Sequence, residues 1–142
     1  MERERYRILP HTADGKFQAF GRTLEEAFGN AALATASLMW DWARVEPKTA
    51  RDVRLSARDR EQLLVKFLGE VVYLLDTERF LLASVDGPAI RRTAEGWALE
   101  AVFRGDVQSD RYEIHGDVKA VTYHEMRIEE GDGVILQVVV DM

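Results

Sequence analysis

The chain has 142 residues, of which 46% are hydrophobic and 31% charged, and it contains no cysteine. This balance predicts a single packed domain spanning residues 1–142 and excludes intrinsic disorder, disulfides and thiolate metal sites. The formal net charge of −6 disfavours tight, direct binding of nucleic acid through phosphate neutralisation, and it suits contact with a basic partner protein. The first ten residues lack the apolar core of a signal peptide, and no run of about 18 apolar residues occurs, so we expect a cytoplasmic protein without a membrane span.

The N-terminal third predicts two short strands followed by a helix. Tyr6 to Leu9 and Lys16 to Phe20 have the texture of strands, and Pro10 ends the first of them. Thr23, with Glu26 three residues later, forms a capping box that opens the helix. The apolar stripe of this helix consists of Leu24, Ala27, Phe28, Ala31, Thr35, Leu38, Met39 and Trp42.

A second helix is predicted after an edge strand that contains Val53 and Leu55. Ser56 with Asp59 resembles another N-terminal cap, and the helix is expected to end near Asp76. Its apolar side consists of Leu63, Leu64, Phe67, Leu68, Val71 and Leu75.

The second half of the chain predicts mainly β-structure. The extended runs are Phe80 to Val85, Trp97 to Arg104, Val118 to Met126 and Val134 to Asp141. Residues 129–133 favour a hairpin loop, and pairing its arms outward from Gly131 brings Ala120 to Thr122 opposite Val140 to Met142. The predicted fold class is therefore α+β, with a mainly antiparallel sheet and two principal helices.

Asp141 is the first candidate for chemistry, because its carboxylate follows the apolar run 138–140 at the end of a strand. Asp14 is a natural second anion, since it lies where extended structure is interrupted and precedes the flexible Gly15. Two carboxylates with a strand-end carbonyl would form a hard-oxygen site that suits calcium, magnesium or manganese. The same pattern fits a simpler arrangement in which Asp14 caps a turn and Asp141 is an exposed terminus.

The three histidines offer a different metal site. His11, His115 and His124 lie in polar, loop-like or strand-end settings, which would allow a zinc site with an open position. Their spacing lacks the close helix-borne pair of H-E-x-x-H, which favours surface or hydrogen-bonded roles instead. The glycine motifs that cradle phosphates and the G-x-S-x-G motif are absent, so nucleotide-binding and serine hydrolase classes have no support.

Two further features admit a functional and a structural interpretation. The run Trp40-Asp41-Trp42 could stack on bases, although core packing or a cover over a helix end fits it better. Lys119 belongs to a strand predicted beside Asp141, where it is either a contact for an anion or partner or an ordinary solvated lysine.

Three blocks of the sequence resemble the archease family. They are HTAD at residues 11–14 with Gly21, TLEEAF at 23–28 and NAALA at 30–34; VKAVTYH at 118–124; and VVDM at 139–142. The blocks occur in the family's order and span essentially the whole chain. The resemblance implies a compact α+β fold and a role as an activator of an RtcB-type RNA ligase, rather than an enzyme.

The family's activity defines the expected partner and site. RtcB-type ligases join RNA ends that carry a 2′,3′-cyclic phosphate or 3′-phosphate to a 5′-hydroxyl, with GTP and manganese, in tRNA splicing or RNA repair. Archeases are expected to promote guanylylation of the ligase histidine and multiple turnover. The family's metal ligands map onto Asp14, Asp141 and the main-chain carbonyl of Met142, and the expected ion is calcium before magnesium or manganese.

The candidate contacts with the partner and the alternative function share two histidines. His11, Lys119 and His124 are the candidate contacts with the ligase. The alternative is a stand-alone metal-dependent hydrolase that uses His11, His115 and His124 with Asp14.

The chain departs from the family pattern at two positions. Gly15 stands where an aliphatic residue is common, and we expect it to loosen the loop that carries Asp14. Tyr112 stands where similar sequences have a histidine before the VKA block, and His115 does not obviously replace that histidine.

Overall fold

The computed structural model describes residues 4–10 and 14–142. Its strands are β1 (Tyr6–Leu9), β2 (Gly15–Gly21), β3 (Thr49–Ala57), β4 (Phe80–Thr93), β5 (Gly96–Val107), β6 (Ala120–Val121), β7 (Arg127–Gly131) and β8 (Gly133–Asp141). Its helices are α1 (Leu24–Ser37) and α2 (Arg60–Glu78), and a short 3-10 turn covers Trp42–Arg44. The predicted α+β class is confirmed.

The strands form two antiparallel sheets. The five-stranded sheet has the order β1-β2-β8-β6, and β7 pairs with the same edge of β8 that β6 occupies further along. The three-stranded sheet has the order β3-β5-β4, so β3 is an edge strand, as Val53 and Leu55 predicted. Neither helix of the described ranges combines the length and apolarity that a bilayer crossing would require.

Helix α1 begins where the sequence predicts and ends earlier than its apolar stripe suggested. The hydroxyl of Thr23 accepts a hydrogen bond from the Glu26 N–H at 3.1 Å, which caps the first turn. The last helical residue is Ser37, so the prediction of a stripe that continues to Trp42 was wrong. Tertiary contacts turn the chain away there, because the buried Trp40 indole donates to the carbonyl of Leu82 at 2.9 Å. Trp40 is thus a core residue, which confirms the interpretation of core packing over base stacking for this residue.

Helix α2 is capped by Asp59 alone. The Asp59 side chain accepts from the Gln62 N–H at 2.8 Å, whereas Ser56 pairs with Ala98 inside the three-stranded sheet. The prediction that Ser56 takes part in the cap was therefore wrong. The helix runs two residues past the expected end, to Glu78, and stops where Arg79 adopts a left-handed conformation with φ of 57°.

The second half differs from the prediction in strand length. β4 continues to Thr93, well beyond Val85, because register shifts carry it through the Gly87-Pro88 region while it stays paired with β5. The run predicted at 118–126 is a strand only at residues 120–121. Ala120 pairs with Asp141, which is one residue away from the predicted register.

The core holds the ends of β2 and β8 in place. Helix α1 packs against these two strands and against β4, while α2 packs on α1 and on the three-stranded sheet. The Phe28 and Phe67 rings lie 5.8 Å apart and the Phe67 and Phe103 rings 5.3 Å apart, which links α1, α2 and β5. Helix α1 therefore connects the two sheets, and its C-terminal end lies beneath the end of β8.

Candidate functional site

The pairing of β2 with β8 brings Asp14 and Asp141 to the same end of one sheet. Gly15 pairs with Val140 in the antiparallel ladder. Asp14 precedes Gly15, and Asp141 follows Val140, so the two aspartates extend neighbouring strands in the same direction. Opposed residues in a regular antiparallel ladder have Cα atoms about 4.5–5.5 Å apart. We call this end of the sheet, formed by Asp14, Asp141 and Met142, the tip.

The Asp141 carboxylate is accessible at the tip. Val140 is fully buried on the side that α1 covers, whereas Asp141 is exposed. Side chains alternate along a strand, so Asp141 shares the outer face of the sheet with Gln137 and Val139. The carboxylate can therefore meet an ion or a partner without any rearrangement of the core.

Two glycines let Met142 pack beneath the tip. A Cβ atom on Gly15 would lie 2.9 Å from Val140 Cγ2 and 3.0 Å from Met142 Sδ. A Cβ atom on Gly116 would overlap the carbonyl oxygen of Leu38 and approach Met142 Cε at 3.4 Å. The Met142 side chain thus lies between β2 and the segment that follows Tyr112, which places its main chain beside the aspartates.

The structure gives Gly15 a defined role in the strand. Gly15 is buried, is paired within β2, and is not among the glycines with positive φ. Side chains of Leu38, Val140 and Met142 occupy the space that an aliphatic residue would fill. Whether the glycine loosens the preceding loop stays a prediction, because residues 11–13, including His11, lie outside the described residues.

Lys119 is attached to the tip through its backbone. Its N–H donates to the main-chain oxygen of Asp141 at 2.7 Å, and its side chain is exposed. The prediction that this segment runs beside Asp141 is confirmed by the pairing of β6 with β8. The backbone of Lys119 is therefore fixed next to Asp141, one of the candidate metal ligands.

The donor set at the tip fits a hard divalent cation. Two carboxylates and the carbonyl of Met142 are oxygen donors, which calcium, magnesium and manganese prefer. Within residues 4–10 and 14–142, no group of three or more His, Asp and Glu side chains could hold a metal ion. An ion at the tip would therefore depend on main-chain oxygen and water as well as on the two carboxylates.

The described histidines do not assemble a zinc site. His115 Nε2 lies 3.0 Å from the carbonyl of Ser37, so this nitrogen carries a proton and donates. His124 Nε2 lies 3.3 Å from the Glu125 carboxylate. Since His11 falls outside the described residues, nothing in the described part of the chain supports the hydrolase alternative.

Tyr112 anchors the segment that leads to the tip, a role that sequence reasoning missed. Its hydroxyl donates to Asp106 Oδ2 at 2.6 Å and accepts from the Glu46 N–H at 3.3 Å. The bond from Tyr112 lowers the pKa of Asp106, and the same bond raises the pKa of Tyr112. The departure from the family pattern at this position thus coincides with a hydrogen bond that fastens the loop to β5.

Two grooves lie away from the tip. One of about 1000 Å³ is lined by the start of α1 and the β7–β8 hairpin, at the opposite end of the five-stranded sheet. The other, of about 1150 Å³, follows residues 108–115 and Trp40. Neither groove is lined by Asp14 or Asp141.

Comparisons with known proteins give consistent matches over nearly the whole chain. A model of the archease protein family matches residues 6–142. A protein archease from Pyrobaculum neutrophilum is 42% identical over 142 residues, covering 96% of this chain and 95% of the relative. One from Methanosarcina acetivorans is 38% identical over 141 residues, covering 98% and 97%. The solution structure of Methanobacterium thermoautotrophicum protein 1598 matches with a TM-score of 0.83 and 32% identity, covering 97% of this chain and 99% of that chain.

Proposed function

Because this chain belongs to the archease family, we propose that it activates an RtcB-type RNA ligase through a divalent cation held at the tip. The observation that carries the proposal is the placement of Asp14 and Asp141 at one end of neighbouring strands. These two residues are 127 positions apart in the sequence. Two unpaired carboxylates could not be buried in the core without a large free-energy cost, whereas at the tip a bound cation would neutralise them.

Three groups would hold the ion, namely the Asp14 carboxylate, the Asp141 carboxylate and the main-chain carbonyl of Met142. Calcium is the expected ion, and magnesium or manganese would also accept these oxygens. When bound, the ion supplies a fixed positive charge at the tip. The chain's own residues hold it there, since Gly15 and Gly116 allow Met142 to pack close to both strands.

The chemistry of ligation belongs to the partner in this proposal. The sequence has no nucleotide-binding or nucleophile motif, and its net charge of −6 complements a ligase surface built to hold RNA. Lys119 and His124 are exposed near the tip and are proposed contacts with the ligase. His11 stays a candidate contact on sequence grounds. The protein would then promote ligase guanylylation and repeated turnover, in the cytoplasm, without binding RNA tightly itself.

The test is a ligation assay with the purified ligase, GTP, manganese and RNA ends that carry a 2′,3′-cyclic phosphate and a 5′-hydroxyl. Replacing Asp14 or Asp141 by Ala should abolish the increase in turnovers per ligase. Asp132→Ala is the matched control, since Asp132 lies in the hairpin at the opposite end of β8. Full stimulation by both tip variants would reject the site, and a wild-type protein without effect would reject the function.

Calcium binding can be measured without the ligase. At a free calcium concentration a hundredfold above the dissociation constant, binding to the native state contributes about 2.7 kcal/mol. For a chain of 142 residues, this corresponds to a rise in melting temperature of roughly 9 °C. Asp14→Asn and Asp141→Asn should remove the rise, whereas Asp132→Asn should keep it. An unchanged rise in the tip variants would place the calcium elsewhere.

A further inference from the structure

The segment from Thr122 to Met126, here named the 122–126 turn, crosses the outer face of the five-stranded sheet beside the tip. It is fastened to β8, because the Thr122 hydroxyl donates to the Val139 carbonyl at 2.7 Å and the Gln137 amide donates to the Glu125 carbonyl at 2.9 Å. It is also fastened to β2, because Lys16 Nζ donates to Glu125 Oε1 at 3.1 Å. The turn is therefore fixed to both strands that carry the candidate aspartates.

The turn is also closed on itself. The Met126 N–H donates to the Tyr123 carbonyl at 3.1 Å, and the His124 N–H donates to the Thr122 hydroxyl at 3.2 Å. These bonds leave little conformational freedom in a five-residue segment. A surface segment that is already ordered loses less entropy when it binds a partner.

Glu125 is the unusual residue of the turn. Its φ is 53°, a left-handed conformation that favours glycine or asparagine over a glutamate. The Glu125 side chain does what glycine could not do, since its carboxylate bonds Lys16 and lies 3.3 Å from His124 Nε2. A strained residue whose side chain orients an exposed imidazole is a reason to look for function at that position.

The turn presents two side chains to solvent. Tyr123 is 50% exposed, and the His124 side chain is 68% exposed. Because His124 Nε2 lies against the Glu125 carboxylate, the other ring nitrogen, Nδ1, is the one left to meet a partner. The face of a tyrosine ring attracts guanidinium and ammonium groups. The exposed tyrosine therefore suits a partner surface that carries arginine or lysine, and the imidazole beside it can bond a polar group of the same surface.

The exposed pair lies next to the tip. Lys16, which holds Glu125, is two residues from Asp14, and Val139, which holds Thr122, is two residues from Asp141. Two residues along a strand span about 7 Å. Any partner that reaches the aspartates along the outer face therefore meets the 122–126 turn.

We propose that the 122–126 turn is a preformed docking element, in which Tyr123 and His124 contact a basic cleft of the ligase and Glu125 is the residue that positions them. This inference rests on the proposed function and adds the surface that recognises the partner. The tip and the turn then have separate roles, because the tip affects the rate of the docked complex and the turn affects how tightly it docks.

The experiment titrates the protein against a fixed amount of ligase and reads the concentration for half-maximal stimulation and the maximal turnover. Tyr123→Ala should raise the half-maximal concentration by about thirtyfold or more, the effect expected of a binding hot spot, and leave the maximum unchanged. Asp141→Ala should lower the maximum. Tyr73→Ala is the matched control, since Tyr73 is a tyrosine of similar exposure, 57%, on α2.

Glu125→Gly tests the positioning role without a loss of fold. Glycine relieves the left-handed strain, which offsets the loss of the bond to Lys16, so the melting temperature should stay close to that of the wild type. The half-maximal concentration should nevertheless rise, and Glu125→Gln should restore part of the affinity because it keeps the side chain's shape. Nitrogen-15 spectra of His124 should show a Nε2-protonated ring in the wild type and a changed tautomer population in Glu125→Gly.

The outcomes separate this inference from the proposed function. Unchanged half-maximal concentrations in Tyr123→Ala and Glu125→Gly would overturn the docking element, while a lowered maximum in Asp141→Ala would still support the tip. Equal losses in Tyr123→Ala and Tyr73→Ala would also overturn it. A wild-type protein that never stimulates the ligase would overturn both.

Discussion

At Gly116 the backbone passes close to the carbonyl of Leu38 beside the tip. Replacing Gly116 by alanine should destabilise the protein without changing any of the three candidate metal ligands. The added Cβ would overlap the carbonyl oxygen of Leu38, which is backbone and cannot rotate away. The segment around Gly116 must therefore move off the end of α1. The same movement would disturb Met142, whose Cε atom lies 3.4 Å from the added carbon.

The cost of Gly116→Ala follows from the contacts on either side of the glycine. The His115 N–H donates to the Met39 carbonyl at 2.8 Å, and His115 Nε2 donates to the Ser37 carbonyl at 3.0 Å. A typical hydrogen bond contributes about 0.5–1.5 kcal/mol, and forcing an extra carbon into a packed region costs about 1–3 kcal/mol. We expect a loss of about 2–4 kcal/mol, or roughly 7–13 °C in melting temperature for a chain of this length.

Urea denaturation followed by circular dichroism measures this loss. Gly69→Ala is the control, since no heavy atom lies within 4 Å of a Cβ at Gly69 in the interior of α2, and it should stabilise the protein by about 0.5–1 kcal/mol. The calcium-induced rise in melting temperature should shrink in Gly116→Ala and persist in Gly69→Ala. A Gly116→Ala variant within about 0.5 kcal/mol of the wild type would refute the packing argument.

Two other substitutions test the parts of the fold that support the tip. Trp40→Phe removes the donor to the buried Leu82 carbonyl and should cost about 2–4 kcal/mol in urea denaturation, from an unsatisfied acceptor and a small cavity; a cost below about 1 kcal/mol would contradict this role. Tyr112→Phe removes the bond that lowers the pKa of Asp106 and raises that of Tyr112. The pKa of Asp106 is lowered in the folded protein, so its bond stabilises the fold above pH 3.8, the pKa of the unfolded carboxyl, and this stabilisation is lost as the pH falls through the folded pKa. The pKa of Tyr112 is raised, so its bond stabilises the fold below pH 10.0, the pKa of the unfolded hydroxyl, and this stabilisation is lost as the pH rises through the folded pKa. The difference in stability between wild type and Tyr112→Phe should therefore be largest between these limits, and a difference that persists undiminished in acid would contradict the pairing.

Local signals in the sequence predicted the starts of elements better than their ends. Thr23 caps α1 as predicted, since a cap depends on a side chain and a backbone group only three residues apart. The cap predicted for α2 from Ser56 with Asp59 was right only in Asp59, which bonds the Gln62 N–H. The end of α1 depends on the bond from Trp40 to Leu82, 42 residues away, and no local pattern contains that information. The extension of β4 past Gly87-Pro88 likewise depends on its pairing with β5.

The convergence of Asp14 and Asp141 was predictable from the sequence, and the surroundings of the tip were predictable only in part. Asp14 and Asp141 stand out because each carboxylate lies where a strand is interrupted or ends, and the family resemblance adds Met142. The turn at 122–126 could not be predicted, because the run VKAVTYH has the β-branched composition of a continuous strand. The turn is stabilised by the buried Gln137, whose side-chain amide donates to the Glu125 carbonyl, and this contact exists only after β8 has paired.

The tip exists only as long as the last residue pairs of β8 remain formed. Asp14 and Asp141 come together through the Gly15–Val140 pair, and the opposite edge of β8 is held at this level by the Ala120–Asp141 pair. Strand ends fray at a free energy well below that of global unfolding, and two carboxylates brought together without a cation repel each other. A cation at the tip should therefore suppress fraying of β8, and fraying should weaken cation binding by the same free energy. Substitutions beneath the tip, such as Gly116→Ala, should accordingly reduce ligase stimulation through this equilibrium even though they alter neither carboxylate.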